Sequence, residues 1–279
     1  MKPSIAIIGL LLGLATGYAN PLLPPDLVPV GTATDPSTGL PKEVVTRVTG
    51  QVMCLVPPGN FTMGSDTGDD DEKPVHNVTK SAFYLGKYPV TNVEYERFQT
   101  NHSRGNFSKG DLMPVTQVNW SQASAYITWV GLMESTVYTN AVALYAMPSE
   151  AAWEKASQGG LNAPIYPWGS TTNASMTTMY SSTSATVVTN GSPNGLGFFH
   201  MTGNVFSWSW DWYDKDYYKS SPTQDPYGPI TGKMRSARGG TWYIYNKSLR
   251  CADRWHAFPE TSNEKIGVRI GRRLTDVLP

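Results

Sequence analysis

Apolar and polar positions along this chain change phase often. Gln51 to Gly59 (QVMCLVPPG) is a near-continuous apolar run closed by Pro57 and Pro58. It predicts a buried strand, and NFTMGS follows as a second extended piece. Helical spacing appears in three places. At Thr91 a hydroxyl precedes Glu94 by three residues, the pattern of a capping box, with Val90 and Tyr95 in staple positions. Near Ser121 a second helix sets Ala123, Tyr126, Ile127 and Val130 on one face. The third is PSEAAWEKASQGG, capped by Ser149, with Trp153 and Ala156 inward and Gly159-Gly160 as its stop. From residue 160 onward the pattern predicts short strands joined by long loops.

Composition sharpens this picture. The chain carries 26 glycines, 21 prolines, 9 tryptophans and 15 tyrosines in 279 residues, which suits an irregular α+β fold with many turns. No internal repeat or heptad is visible, so one domain over 47–275 is the simplest organisation. Residues 20–46 are proline-rich and weakly periodic, and are expected to form an extended leader or linker. Residues 1–19 have a lysine, a short apolar run and small residues near Ala19, the layout of a cleaved secretory signal. Asn-x-Ser/Thr sequons recur, among them at Asn60, Asn77, Asn101, Asn106, Asn119, Asn173 and Asn246. Together these predict a secreted glycoprotein, or a periplasmic protein in a bacterium, with no membrane attachment after cleavage. With 22 basic and 22 acidic side chains the net charge is zero, and nothing favours a nucleic-acid partner.

The residues that carry chemistry are few. Cys54 and Cys251 are the only cysteines, and in an oxidising compartment a disulfide between them is as reasonable as two free thiols. The histidines are His76, His102, His200 and His256. Two imidazoles with a carboxylate are enough to hold iron, but no spacing enforces such a set here. The acidic run Asp69-Asp70-Asp71-Glu72 lacks the glycine and the order of an EF-hand loop and is expected to be a solvated face. Trp208, Trp210, Trp212, Tyr213, Tyr217 and Tyr218 form an aromatic stretch suited to a core or to a sugar or peptide groove. There is no phosphate-binding glycine loop, no Gly-x-Ser-x-Gly elbow and no metalloprotease motif.

The segments VPPGNFTMGS, DDDEKPVHNVTKSAFYLGKYPVTNVEYERF, MPVTQVNWSQASAYITWV, MPSEAAWEKAS, YPWG, SPNGLGFFHMTGNVFSWSWDWYD, RGGTW, RCADR and IGVRI occur in order over about residues 50–271. In that order they resemble the formylglycine-generating enzyme, or sulfatase-modifying factor, family. The resemblance implies a single irregular C-type-lectin-like domain. The family holds copper-dependent oxidases, iron-dependent sulfoxide synthases, cysteine-free proteins of pyoverdine maturation and ligand-binding variable proteins, so fold alone does not select an activity.

In the copper enzymes a pair of cysteines follows Gly-Gly-Ser, because copper(I) prefers soft thiolates. Ile244 stands at the first of those positions, and the second falls in a stretch that is shorter here. The resemblance makes Cys251 a scaffold residue and disfavours formylglycine generation, placing this chain nearest the cysteine-free branch. Thr241 and Trp208 correspond to a cleft hydroxyl and a cleft tryptophan. The family's calcium loop keeps Asn204 but has Ser207 for a glutamate and Phe206 for a tryptophan, which leaves at most a weak calcium site.

Two functions follow as expectations. One is a secreted oxidoreductase that matures a peptide or peptide-derived small molecule. Trp208, Thr241 and His256 would be its catalytic groups, and Trp242, Tyr245 and Arg254 would bind substrate. Iron or copper at His200 and His256, or weak calcium at Asn204, would be its metals. The other is a lectin-like binding module for a glycan, peptide or protein on the same surface.

Overall fold

The computed structural model describes residues 23–171, 182–243 and 246–274, with only the backbone given for Asn246 and Lys247. Its strands in chain order are β1 (Leu27–Pro29), β2 (Glu43–Thr46), β3 (Val52–Val56), β4 (Gly59–Met63), β5 (His76–Lys80), β6 (Phe83–Gly86), β7 (Tyr145–Ala146), β8 (Phe206–Trp212), β9 (Arg235–Arg238), β10 (Arg254–Ala257), β11 (Ile266–Gly267) and β12 (Gly271–Arg273). Its helices are α1 (Asn92–Glu96), α2 (Trp120–Glu134), α3 (Ala141–Leu144) and α4 (Glu150–Ser157).

Three sheets result among the described residues. The first has the order β1-β2-β3-β6-β12-β7, the second β10-β9-β8-β11, and β4 and β5 form a separate antiparallel ladder. Few helices and short, curled sheets make this the α+β architecture expected. β12, near the C-terminal end, lies between β6 and β7, so early and late segments share one sheet.

That sheet corrects one expectation. The segment 20–46 is not a linker where it is described, because β1 and β2 pair with each other and with β3. The reason is apolar residues among the prolines: Leu27, Leu40 and Val44 are buried in the main core. Asp26 fixes the same end. It accepts from Arg272 at 2.7 and 3.1 Å and from the Tyr145 hydroxyl at 2.8 Å. The signal segment 1–19 lies outside the described residues.

The helix starts follow local capping chemistry. The Thr91 hydroxyl accepts from Glu94 N while Glu94 reaches back to Thr91 N, a reciprocal pair that satisfies two otherwise orphaned donors. Asn119 does the same with Gln122, so α2 begins one residue earlier than the apolar pattern suggested. Ser149 caps α4, and Gly159 and Gly160 take φ of +65° and +84° just beyond its end.

α4 positions the buried charges. Glu150 and Glu154 sit on it, fully enclosed, facing Arg238 of β9 and Arg254 of β10. Arg238 Nη2 lies 2.5 Å from Glu154, and Arg254 grips Glu150 at two points. Four charges thus cross the junction of α4 with the second sheet in mutually satisfying pairs.

Candidate functional site

The turn after β9 is the natural starting point. Gly239 and Gly240 both have positive φ, +99° and +68°. A Cβ on Gly239 would stand 2.7 Å from the Met201 carbonyl oxygen and 2.8 Å from the Trp153 ring, and one on Gly240 would stand 2.6 Å from Ser248 O. Only glycine fits both the backbone angle and the space. The turn delivers Thr241 and Trp242 against Asn204. Trp242 N and the Thr241 hydroxyl both donate to the Asn204 carbonyl, at 2.9 and 3.3 Å.

Trp242 forms the floor of an aromatic rim. It packs against Phe107 with ring centroids 4.9 Å apart and meets Tyr243 edge-on at 5.5 Å. Lys265 Nζ lies over the Tyr243 ring at 4.4 Å. Phe107 and Tyr243 are 44 % and 63 % exposed, whereas Trp242 is buried, with Met113, Ala185 and Val205 behind it. Its indole Nε1 is buried without a hydrogen-bond partner among the described residues. That is an unmet donor beside two exposed rings and an amine. Glu264 ties the rim together by accepting from Phe107 N at 3.0 Å.

Other expected site residues are placed elsewhere. Trp208 does not line a cleft: it is fully buried, and its Nε1 donates to Val118 O at 3.0 Å. Thr241 is equally buried, with its hydroxyl turned to Asn204 O. Arg254 is committed inward, to Glu150, Asp71 O and Asp214 O, which leaves its fork no free face for a substrate carboxylate. Tyr245 lies outside the described residues, as does Ile244. Of the residues expected to bind substrate, Trp242 alone is seen at the rim. Phe107 and Lys265 were missed, since each comes from a distant loop and nothing local in the sequence marks it.

The donor sets do not fit the metals considered. Both thiols are free. Cys54 packs among Val56, Phe83, Leu85 and Phe198, while Cys251 meets Ser157 beside Glu154, so the disulfide left open by the sequence is not formed. Burial pushes each thiol up to about 12, far from the thiolate that copper(I) needs. His200 and His256 are not joined with a carboxylate either. The single cluster of three acids, thiols or imidazoles among the described residues is Asp69, Glu72 and Asp253.

His200 lies by Pro167, Trp168 and Asn194, and burial, then Arg269, lowers its imidazole to about 4. His256, on β10, stacks on Tyr213 at 3.9 Å, and burial lowers it too. The Asn204 amide pairs with Thr186, accepting from its N at 3.0 Å and donating to its O at 3.2 Å, so its oxygen is already engaged within the loop.

The acidic run is also different from expectation. Asp70 is solvated and pairs with Lys73, but Glu72 is buried and takes both terminal nitrogens of Arg250 at 2.5 and 2.6 Å. Arg250 also reaches Asp253 at 3.3 Å. The three-acid cluster therefore closes around a guanidinium. His76 bonds the Pro74 carbonyl at 3.0 Å.

Residues 38–274 match the family described as sulfatase-modifying factor enzyme 1-like domain. Serine/threonine-protein kinase Pkn1 of Chlamydia trachomatis is 35% identical over 246 residues, 79% of this chain but 38% of that protein. The formylglycine-generating enzyme of Streptomyces coelicolor is 28% identical, over 79% of this chain and 88% of its own length. Among solved structures, PvdO from Pseudomonas aeruginosa superposes with a TM-score of 0.72 at 22% identity, covering 86% of this chain and 100% of PvdO.

Proposed function

Because this chain belongs to the sulfatase-modifying factor family, we propose that it uses the family fold as a recognition module, holding a peptide or peptide-derived small molecule at the rim of Trp242, Tyr243, Phe107 and Lys265. One observation carries this reading: a buried indole N–H with no acceptor among the described residues, on a ring that packs against two exposed aromatic rings. A ligand carbonyl entering between Phe107 and Tyr243 would satisfy that donor, and the Lys265 amine beside it favours an anionic group.

Oxidative maturation calls for a redox centre, and the described residues supply neither a thiolate pair nor an imidazole and carboxylate set for one. Kinase activity is not carried over: this chain spans little more than a third of the Chlamydia relative, and its sequence has no phosphate-binding glycine loop. The leader-like residues 1–19 support work outside the cytoplasm, where peptides are available as ligands.

The test is titration of the full chain with a peptide library, read by tryptophan fluorescence. Trp242→Phe keeps an aromatic ring and removes the N–H. A loss of about tenfold in affinity is expected, equivalent to ~1.4 kcal/mol. Unchanged affinity in that variant would remove the proposed site. Oxygen-dependent conversion of a cysteine peptide to an aldehyde would replace the binding reading with an enzymatic one.

A further inference from the structure

α2 has a solvent face without charge. Ser121, Gln122, Ala125, Thr128 and Leu132 point outward, and the helix's one charged residue, Glu134, is buried and accepts from Val48 N and Thr49 N. A helix lying on a domain surface ordinarily turns charged and polar groups to water. Leu132 is instead 52 % exposed. Over this face lies an open, shallow groove of about 500 Å³ lined by Trp120, Trp129, Phe98, Leu132, Ser124 and Thr128. From Trp120 to Trp129 the helix rises about 14 Å, at ~1.5 Å per residue.

A cation stands at each end of this groove. Arg235 of β9 is sandwiched between the Trp120 ring at 3.8 Å and the Trp212 ring at 3.5 Å. Trp210, 40 % exposed, adjoins Trp120 at 5.5 Å. Arg235 donates to Trp210 O, its Nε has no partner, and no carboxylate lies within ion-pair distance among the described residues. Burial lowers this guanidinium to about 10, and the more distant charge of Asp211 offsets that only in part. At the other end Arg97, exposed, sits 5.9 Å from the Trp129 ring and donates to Thr49 O. Arg104, Arg238, Arg250, Arg254 and Arg272 by contrast all meet carboxylates.

We propose that this groove binds an acidic oligosaccharide, a chain of uronate-type sugars lying along α2 from Arg235 to Arg97. The complementarity is specific in kind. Flat indole faces receive the apolar faces of pyranose rings, the hydroxyls of Ser121, Ser124 and Thr128 meet sugar hydroxyls, and the two guanidiniums take carboxylates. An acidic homopolymer such as polyglutamate would match the charges but would present no ring face to the indoles. The groove shares no residue with the Trp242 rim.

The experiment uses the full chain and an oligogalacturonate hexamer, with a neutral β-1,4-glucose hexamer and hexaglutamate as comparisons, read by calorimetry at low and high salt. Binding of the galacturonate hexamer is expected to exceed that of either comparison by about tenfold or more and to weaken with salt. Arg235→Gln and Trp210→Ala should each reduce it about tenfold, and Arg97→Gln less. Trp242→Phe should leave it unchanged.

Arg97 is exposed, so Arg97→Gln keeps the test intact if Arg235→Gln does not fold. Shifts of the Trp120 and Trp129 indole N–H resonances on titration locate the ligand directly. No binding of the galacturonate hexamer at millimolar concentration, equal binding of hexaglutamate, or full binding by both arginine variants would overturn the proposal.

Discussion

Arg254 and Glu150 meet at two points, Nε to Oε1 at 2.8 Å and Nη2 to Oε2 at 2.9 Å, both side chains almost wholly buried. This pair ties β10 to the first turn of α4. Arg254→Ala would leave Glu150 with the Ser236 hydroxyl at 3.1 Å and the longer contact to Arg238 at 3.4 Å. The expected loss is about 3–5 kcal/mol of stability, because an uncompensated carboxylate remains buried. Thermal unfolding should show a Tm lower by roughly 10 °C for a domain of this size. The double variant Glu150→Gln with Arg254→Met should lose less than Arg254→Ala alone. If the single variant matched wild type, the pair would not hold β10 to α4.

This pair also shows where the sequence was legible. Both residues lie in segments that the family resemblance flagged, but an arginine in RCADR reads equally well as a substrate clamp or as an internal tie. The deciding fact is which carboxylate faces it, and Glu150 is more than a hundred positions away in the chain. Capping is local, so Thr91 and Ser149 could be read directly and Asn119 to within a residue or two. The strand nature of 27–29 and 43–46 could not, since a three- or four-residue segment among prolines is fixed by its neighbours in the sheet. The same holds for the rim: Trp242 stood out in RGGTW, but Phe107 and Lys265 join it only through tertiary packing, and nothing in their own loops marks them.

The protonation of Asp211 should be visible in the pH dependence of stability. Asp211 is buried, and burial, reinforced by the charge of Glu150, raises its carboxyl from 3.8 to about 7. The folded state therefore holds a proton that the unfolded chain has released. The stabilisation is complete below about pH 4 and is lost as pH rises through about 7. His200 acts in the opposite sense: its imidazole falls from 6.5 to about 4, so its contribution is present above 6.5 and fades as pH drops. Burial raises Asp253 to about 7 as well, so it is the comparison of variant with wild type that isolates Asp211. Asp211→Asn, measured against wild type by urea unfolding at several pH values, should gain relative stability from pH 4 to 7. A constant offset between the two curves would show that Asp211 does not titrate in that window.

Both cysteines should be silent in the native protein. Cys54 and Cys251 are 2 % exposed each, and burial raises both thiols to about 12. At pH 8 the thiolate fraction is negligible and access is closed. A thiol reagent should label neither residue in the folded chain and both after unfolding in denaturant. A reducing agent should leave Tm unchanged. Two labels gained only after reduction would mean that a disulfide had formed.

Gly239 gives the most local prediction. Its φ of +99° disfavours any L side chain, and an added Cβ would press on the Met201 carbonyl and the Trp153 ring at 2.7 and 2.8 Å. The Met201 carbonyl cannot retreat cheaply, because the neighbouring Gly203 N is hydrogen-bonded to Gly239 O. Gly239→Ala should therefore destabilise by at least about 1–3 kcal/mol from backbone strain, with the clash added. It should also displace Trp242, three residues on, so weakened ligand binding at the rim is expected even where the variant stays folded. Indole side-chain resonances report both effects, since Trp153 and Trp242 would shift while Trp129 on α2 would not. Movement of all the indoles together would mean global loosening, and the turn would lose its role as the local support of the rim.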